Sequence, residues 1–207
     1  MIKIGITGGP ASGKTTFAEV LVDLGVPYIS SDEIAKDLTI NDSVVQEEIR
    51  TCFMEENIFS TEGKLDRVRL RQFIFSNAIA RKKLEEILHP PIIREIQRFF
   101  MGKGDCNHKM VAVEVPLLFE ANLESLFDRI VLIKLSCEEM QKRLSQRDTI
   151  SLQLAKEMCE VQWPMEHKEA RSHVVIENNG DISVLMEKAK AFYTEEMEKA
   201  TKILEST

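Results

Sequence analysis

The sequence predicts an α/β fold, with a parallel sheet as the middle of three layers and a long helical insert. Short apolar, β-branched runs alternate with segments of helical apolar spacing along most of the chain, which is the pattern of parallel α/β sheets. A glycine-rich loop joins the first of these runs to the first helix. Between the second and third runs, residues 42–96 show mostly helical spacing, and this break in the alternation indicates the insert.

The elements follow in order from these patterns. Strands are predicted at residues 2–7, 26–30, 110–115, 130–133 and 174–176. Helices are predicted at about 14–24, from 136 toward 147 and from 182 onward. Within the insert, His89-Pro90-Pro91 predicts a break in the helix, because proline forces the preceding residue out of the α region. The polar segment 102–107 is expected to form a loop.

Composition limits the class of protein. With 207 residues, 43% hydrophobic and 29% charged, the chain can form one substantial domain with an insert and is not disordered as a whole. Its net charge of −7 argues against a nucleic-acid coat. The four scattered cysteines favour reduced thiols over a zinc site or a disulfide framework. The chain shows no membrane-length apolar run and no signal-peptide pattern, so we expect a cytoplasmic protein without membrane partners.

The loop at residues 8–15, Gly-Gly-Pro-Ala-Ser-Gly-Lys-Thr, fits the phosphate-binding pattern G-x-x-x-x-G-K-[ST]. Its glycines let backbone N–H groups surround phosphate oxygens at a helix N-terminus. Lys14 can reach the β- and γ-phosphates, Thr15 can ligate Mg²⁺ and Thr16 can contact the α-phosphate. A chance glycine turn is the alternative, but a strand before and a helix after make it rare. The residues expected to hold ATP and magnesium are Ala11, Ser12, Gly13, Lys14, Thr15 and Thr16.

Two acidic residues lie at or just after the ends of predicted strands. Asp32 comes after the second strand, where a side chain faces the binding crevice of an open α/β sheet and could accept a proton from an acceptor hydroxyl. The alternative is that Asp32 caps the helix that begins near Glu33. Glu114 lies on the third strand and is either an acid near the magnesium or a buried, hydrogen-bonded group without a metal role.

Basic side chains lie in two further places. Arg143 and Arg147 are four residues apart, so a helix would present both on one face, as a lid over phosphates requires. A solvated face paired with nearby acids is the alternative. Residues 62–103 hold ten basic and five acidic side chains, a balance of +5, which suits an acceptor that carries phosphates. A plain solvated helix surface remains the alternative there.

The class of phosphate-loop protein is narrowed by what the sequence lacks. It contains neither an N-K-x-D guanine-reading motif nor a D-x-x-G switch, which argues against a GTPase, and motor or transporter ATPases are usually larger. A small kinase needs an acid near the acceptor, a substrate-holding insert and a basic lid. A nucleoside-monophosphate or other small-molecule kinase, and a nucleotide-binding regulatory module, stay open at this point.

Several short motifs are spread along residues 4–180 in a fixed order. They are Gly5-Ile6-Thr7-Gly8-Gly9 leading into Ser12-Gly13-Lys14-Thr15, the Asp32 segment, Gly63-Lys64-Leu65-Asp66-Arg67, Leu88-His89-Pro90, Pro116-Leu117-Leu118-Phe119-Glu120, Gln146-Arg147-Asp148, Gln162-Trp163-Pro164-Met165-Glu166-His167-Lys168 and Val175-Ile176-Glu177-Asn178-Asn179-Gly180. Together they resemble the dephospho-coenzyme A kinase family. The phosphate loop is shared by many families, whereas the His-Pro, Pro-Leu-Leu and Gln-Arg-Asp motifs in combination are specific.

The resemblance implies a P-loop kinase with a helical acceptor-binding insert and a short helical lid. It also implies ATP-dependent phosphorylation of the ribose 3′-hydroxyl of dephospho-coenzyme A, the last step of coenzyme A biosynthesis. The implied nucleotide-binding core is 1–31, 110–142 and 172–207, with the insert at 32–109 and the lid at 143–171. The implied substrates are ATP and dephospho-coenzyme A, without a nucleic-acid partner, and the oligomeric state stays open.

The resemblance also implies roles for individual residues. Asp32 would be the acid–base residue, Lys14 the phosphate clamp and Arg143 a catalytic lid residue. Arg147 would bind ATP, and Thr15 would ligate the metal. The implied acceptor residues are Asp32, Arg67, His89 and Leu117. The family often has Asp-x-Asp after the second strand, whereas this chain has Ser30-Ser31-Asp32, so a single acid has to act there.

Overall fold

The computed structural model describes residues 1–60, 63–104 and 108–205. The chain folds as two compact units. The first unit comprises Met1–Ser30 and Phe99–Thr207, and the second comprises Ser31–Arg98. The predicted phosphate loop belongs to the first unit, and most of the predicted insert forms the second.

The first unit is built on a parallel sheet. In the described residues its strands are β1 (Ile2–Gly8), β2 (Tyr28–Ser30), β3 (Met110–Glu114), β4 (Arg129–Lys134) and β5 (Val174–Glu177). They lie in the order β2-β3-β1-β4-β5, and each neighbouring pair is parallel. Parallel strands with both faces covered are continuously apolar, and every residue of β3 is buried. The predicted α/β class with a parallel sheet is confirmed.

Helices surround the strands and form the second unit. Within the described ranges they are α1 (Lys14–Asp23), α2 (Ser31–Asn41), α3 (Ser43–Cys52), α4 (Arg67–Ser76), α5 (Ala78–Gly104), α6 (Cys137–Asp148), α7 (Leu152–Glu160), α8 (Met165–Arg171) and α9 (Ile182–Glu205), and a 3₁₀ turn lies at Glu124–Leu126. In the first unit, the Phe17 and Phe192 ring centroids lie 5.5 Å apart and join α1 to α9. With Ile4 and Ile6 of β1 they form part of the core, so burial of apolar surface fixes the start of α1 against the sheet.

The second unit is helical and has its own buried side chains. Asp42 and Asp66 cap α3 and α4, each accepting two backbone N–H bonds, as the preferred residue types at helix starts do. The rings of Phe53 and Phe73 meet edge to face with centroids 6.0 Å apart. Such an arrangement is a favourable aromatic geometry and ties the end of α3 to α4.

The predicted break at His89-Pro90-Pro91 is wrong, because α5 is continuous through both prolines. Each proline removes one backbone N–H donor from the helix, but the turns on either side remain. Leu84 and Ile92 are buried on the two sides of the prolines, and this packing outweighs the local preference. The predicted loop at 102–107 is also partly wrong, since α5 runs to Gly104, while residues 105–107 lie outside the described part.

Membrane-spanning segments need a long, apolar helix. None of the helices in the described ranges is both long enough and apolar enough to cross a membrane.

Candidate active site

The loop between β1 and α1 adopts the conformation that its glycines permit. Gly13 has φ = 95°, a left-handed conformation that side chains other than glycine rarely adopt. A Cβ atom at Gly13 would lie 2.6 Å from Nδ2 of Asn178 and 2.8 Å from Cδ2 of Leu185. Gly8 is similarly confined, since its Cβ would lie 2.5 Å from the carbonyl oxygen of Ile133. Both glycines are therefore needed for the loop to sit this close to the sheet.

Lys14 lies folded against this loop. Its Nζ donates hydrogen bonds to the carbonyl oxygens of Gly8 at 3.2 Å and Gly9 at 2.9 Å, and the residue is only 8% exposed. A phosphate oxygen binds an ammonium group more strongly than a carbonyl oxygen does, because bonds between two charged groups are stronger. The side chain is therefore placed to exchange loop carbonyls for a phosphate.

Thr15 begins a chain of hydrogen bonds beneath the loop. Its hydroxyl donates to the Glu114 carboxylate at 3.3–3.4 Å, and the Tyr28 hydroxyl donates to Oε2 of Glu114 at 2.9 Å. Glu114 is 7% exposed, so two hydroxyl donors compensate part of the cost of burying its charge. Sequence reasoning assigned no role to Tyr28, because only the pairing of β2 with β3 brings its side chain to Glu114.

The Thr15 hydroxyl and the Glu114 carboxylate that it contacts suit a magnesium ion. Mg²⁺ keeps several waters and takes one or two protein oxygens together with substrate phosphates. A hydroxyl backed by a buried carboxylate fits that role. Among residues 1–60, 63–104 and 108–205, no group of three or more His, Cys, Asp or Glu side chains could hold a metal by itself, so the fit depends on Thr15 and the nucleotide.

Arg143 and Arg147 lie on α6 and are paired with acids. Nε of Arg143 donates to Glu139 at 3.0 Å, and its Nη2 donates to the Gly180 carbonyl at 3.4 Å. Arg147 binds both carboxylate oxygens of Asp148 at 2.8 and 3.1 Å, and this pairing raises the pKa of the Arg147 guanidinium. The arrangement matches the alternative of a basic face paired with nearby acids. Both pairs are partly exposed, so they are weak and exchangeable.

Asp32, Arg67 and His89 belong to the second unit. Helix α2 begins at Ser31, so Asp32 is in its first turn and is not the N-cap. Its side chain is exposed, and an acid there interacts favourably with the helix dipole. His89 is half-buried on α5. Leu117, in the first unit, is half-buried in the turn after β3.

Arg67 lines a cavity of about 500 Å³ in the second unit. Arg50 and Lys64 contribute two more positive charges to its wall, and Ile49 and Phe59 are among its apolar side chains. A cavity with both kinds of lining suits a ligand that combines anionic groups with an apolar part. Sequence reasoning identified Arg67 but missed Arg50, which lies outside the basic segment 62–103.

Lys168 is buried, although its residue type predicts a position at the surface. It is 0% exposed, and its Nζ lies 2.9 Å from both Oε1 of Glu120 and Oε1 of Gln162. The same Glu120 oxygen accepts the Trp163 backbone N–H at 2.9 Å. Lysine is almost never fully buried unless it is paired. The network therefore fixes residues 162–168, which follow α7, to the segment after β3.

We expect Lys168→Met to lower the free energy of unfolding by about 3 kcal/mol, because removing one partner of a buried pair leaves an uncompensated charge. Denaturant unfolding would measure the loss. The matched control is Lys156→Met, whose ammonium lies 3.9 Å from Glu160 in a pair that is more than half exposed, and which should cost less than about 1 kcal/mol. Equal losses in the two variants would contradict the role assigned to Lys168.

Comparison with known proteins decides the family. The family model described as dephospho-CoA kinase matches residues 2–183. A dephospho-CoA kinase of Fusobacterium nucleatum is 35% identical over 189 residues, which cover 91% of this chain and 95% of that protein. The chain belongs to the dephospho-coenzyme A kinase family. The predicted family, the kinase class and the last step of coenzyme A biosynthesis as the function are thereby confirmed.

Solved structures agree with this dephospho-coenzyme A kinase family assignment. A dephospho-CoA kinase from Campylobacter jejuni superimposes with a TM-score of 0.67 at 31% identity, covering 93% of this chain and 96% of that chain. The protein TT1252 from Thermus thermophilus superimposes with a TM-score of 0.76 at 32% identity, covering 94% of this chain and 97% of its own. The predicted P-loop kinase fold is confirmed.

Proposed function

We propose that this kinase transfers the γ-phosphoryl group of ATP to the ribose 3′-hydroxyl of dephospho-coenzyme A, giving coenzyme A and ADP. The observation that carries the proposal is the family match over residues 2–183, which includes both the loop at 8–15 and the Asp32 segment. The loop geometry supports a phosphate-binding role, since Gly8 and Gly13 let the backbone turn tightly at the N-terminus of α1, where a loop of this kind can surround an anion.

The donor side of the site is assigned to the first unit. The backbone at Ala11, Ser12 and Gly13 would surround the phosphates, with Lys14 bound to the β- and γ-oxygens and Thr16 near the α-phosphate. Thr15 would hold Mg²⁺, with Glu114 oriented behind it by Tyr28. When bound, the ion would neutralise charge on the β- and γ-phosphates. The Lys14 ammonium would stabilise the same charge as it grows during transfer.

The acceptor side is assigned to the second unit and to Leu117. Asp32 would accept the proton of the 3′-hydroxyl as that oxygen attacks the γ-phosphorus in line. Arg67 and His89 would hold the acceptor's phosphates, and Leu117 would contact it through apolar surface. The cavity that contains Arg67 supports this assignment, because Arg50 and Lys64 add positive charge beside apolar side chains.

The lid role of residues 143–171 rests on exchangeable ion pairs. We propose that Arg143 and Arg147 leave Glu139 and Asp148 for phosphate oxygens when the nucleotide binds. A triphosphate offers each guanidinium more negative charge than one carboxylate does. Closure of the lid would exclude water that otherwise hydrolyses ATP. The domain boundaries 32–109 and 143–171 and a cytoplasmic location without nucleic-acid partners stay predictions.

Acceptor-dependent release of ADP by the purified protein tests the reaction. We expect ADP to form with dephospho-coenzyme A and not with nucleoside monophosphates or sugars, and the product to carry a 3′-phosphate by mass spectrometry. Activity only with a nucleoside monophosphate would replace the proposed acceptor. ATP binding without any acceptor-stimulated turnover would instead indicate a regulatory nucleotide-binding module.

A further inference from the structure

Asn178 joins the end of β5 to the phosphate loop. It is 5% exposed, and its Nδ2 donates a 2.8 Å hydrogen bond to the carbonyl oxygen of Ser12, 166 residues away in sequence. Its backbone N–H donates to the Lys134 carbonyl at 2.8 Å, so the residue is itself fixed to β4. A buried donor fixed in this way can define the orientation of the group that it binds.

The group it binds is one end of a rigid unit. The Ser12 carbonyl and the Gly13 N–H belong to the same planar trans peptide, in which the two bonds point in opposite directions. Holding the carbonyl toward Asn178 therefore turns the Gly13 N–H away from Asn178. Gly13 also has no side chain that could resist rotation of this peptide, and its positive φ of 95° is one of several conformations that glycine adopts readily.

We propose that Asn178 is a positioning residue for phosphate binding, which acts through the Ser12 carbonyl to aim the Gly13 N–H at the nucleotide's phosphate. The proposal rests on the proposed binding of ATP at residues 8–15. An N–H donor that already points at the phosphate does not have to reorient when the anion binds. The free-energy cost of binding is therefore lower and the affinity is higher. The side chain also closes the space beside Gly13, since Nδ2 lies only 2.6 Å from where a Cβ atom would stand.

Two substitutions separate positioning from simple packing. Asn178→Asp keeps the size of the side chain but presents only oxygen acceptors to the Ser12 carbonyl, so it repels the group that Asn178 binds. Asn178→Ala removes the donor and leaves a cavity. If the residue positions the peptide, ADP affinity measured by calorimetry should fall at least about tenfold in the aspartate variant, and further than in the alanine variant. If the residue only fills space, the order is reversed.

The neighbouring asparagine supplies the control. Asn179 is exposed, and its Oδ1 accepts the Ser136 backbone N–H at 3.2 Å, so Asn179→Ala should leave ADP affinity within about twofold, because its bond ends at the start of α6 rather than on the loop. The KM for the acceptor should be unchanged in all three variants. Should Asn178→Asp fail to fold, Asn178→Ser keeps a short hydroxyl donor and should lose less affinity than Asn178→Ala.

Failure of the inference can be distinguished from failure of the proposed function. Unchanged ADP affinity in the folded Asn178 variants would overturn the positioning role while leaving the kinase reaction intact. Wild-type protein that binds ADP but transfers no phosphoryl group to dephospho-coenzyme A would overturn the proposed reaction, while the affinity order of the Asn178 variants would still test the positioning role.

Discussion

Replacing Asp32 by asparagine is expected to lower turnover at least about 100-fold and to leave nucleotide binding nearly intact. The amide has the size of the carboxyl group but cannot accept the hydroxyl proton. Ser30 and Ser31 precede Asp32, so no second acid stands at the Asp-x-Asp position to replace it. Nucleotide affinity should persist because the groups assigned to the phosphates belong to the loop at 8–15, which the substitution leaves unchanged.

The control is the next acid in the same helical turn. Glu33 is also exposed and also lies in the first turn of α2, so Glu33→Gln changes the charge at the helix start equally. Steady-state kinetics with both substrates should show near-normal turnover for Glu33→Gln and a large loss for Asp32→Asn. Near-normal turnover in the Asp32 variant would remove Asp32 from the mechanism.

A loss of helix stability does not explain the expected result. Asp32 is not the N-cap, because α2 already includes Ser31, and the interaction of its charge with the helix dipole is worth about 0.3–1 kcal/mol. The melting temperature of Asp32→Asn should therefore fall by about as much as that of Glu33→Gln, which removes a charge from the same helical turn. A thermal scan beside the kinetic measurement separates the two explanations.

The strands of the sheet could be predicted because the pattern that identifies each of them lies within a few consecutive residues. Each buried parallel strand appears in the sequence as a short β-branched run. Both ends of every predicted strand lie within two residues of the observed ends. The largest difference between a predicted and an observed strand boundary is at the start of β2. Strand β2 begins at Tyr28 instead of Val26, and the residue before it, Pro27, has no N–H to donate to a ladder. Its carbonyl nevertheless accepts the Ala112 N–H at 2.9 Å.

The parts of the site that could not be predicted depend on contacts between distant segments. Tyr28 reaches Glu114, and Asn178 reaches Ser12, only because the strand order places β2 beside β3 and fixes the end of β5 against β4. Periodicity contains no information about such pairs. Lys168 is similar, because a lysine in an amphipathic segment is expected at the surface. Its burial depends on Glu120, forty-eight residues earlier in the chain.

Helix α5 was predicted wrongly for a different reason. The local effect of proline predicted a break, but α5 is continuous through Pro90 and Pro91. A proline in the interior of a helical pattern usually predicts that the helix ends or bends there. Helical stability in proteins comes mostly from packing of a buried face, and α5 has Leu84, Ile92 and Ile96 buried in the second unit. The cost of two missing N–H donors is smaller than the loss of this packing, so the helix persists.

The second large effect is expected at Lys14. Lys14→Ala should weaken ATP binding at least about tenfold, which is the contribution of a hydrogen bond to a charged group. It should also lower turnover about 100-fold or more, because a charge aimed at the transferring phosphoryl group stabilises the transition state more than the ground state. This joint loss distinguishes Lys14 from Asp32, whose replacement should change turnover alone.

The geometry of Lys14 makes the experiment specific. Its Nζ donates to two carbonyl oxygens of the loop itself. A lysine that donates to a backbone carbonyl outside the loop is therefore the matched control, because its replacement removes the same kind of bond. Lys188 donates to the Glu177 carbonyl at 2.7 Å from an exposed position, and Lys188→Ala should leave both parameters within about twofold, as expected for a surface substitution. Calorimetry with ATP in the absence of the acceptor measures the loss of binding, and steady-state kinetics measure the loss of turnover. An unaffected ATP affinity in Lys14→Ala would show that the ammonium does not bind the phosphates, and the loop would then act through its backbone N–H groups alone.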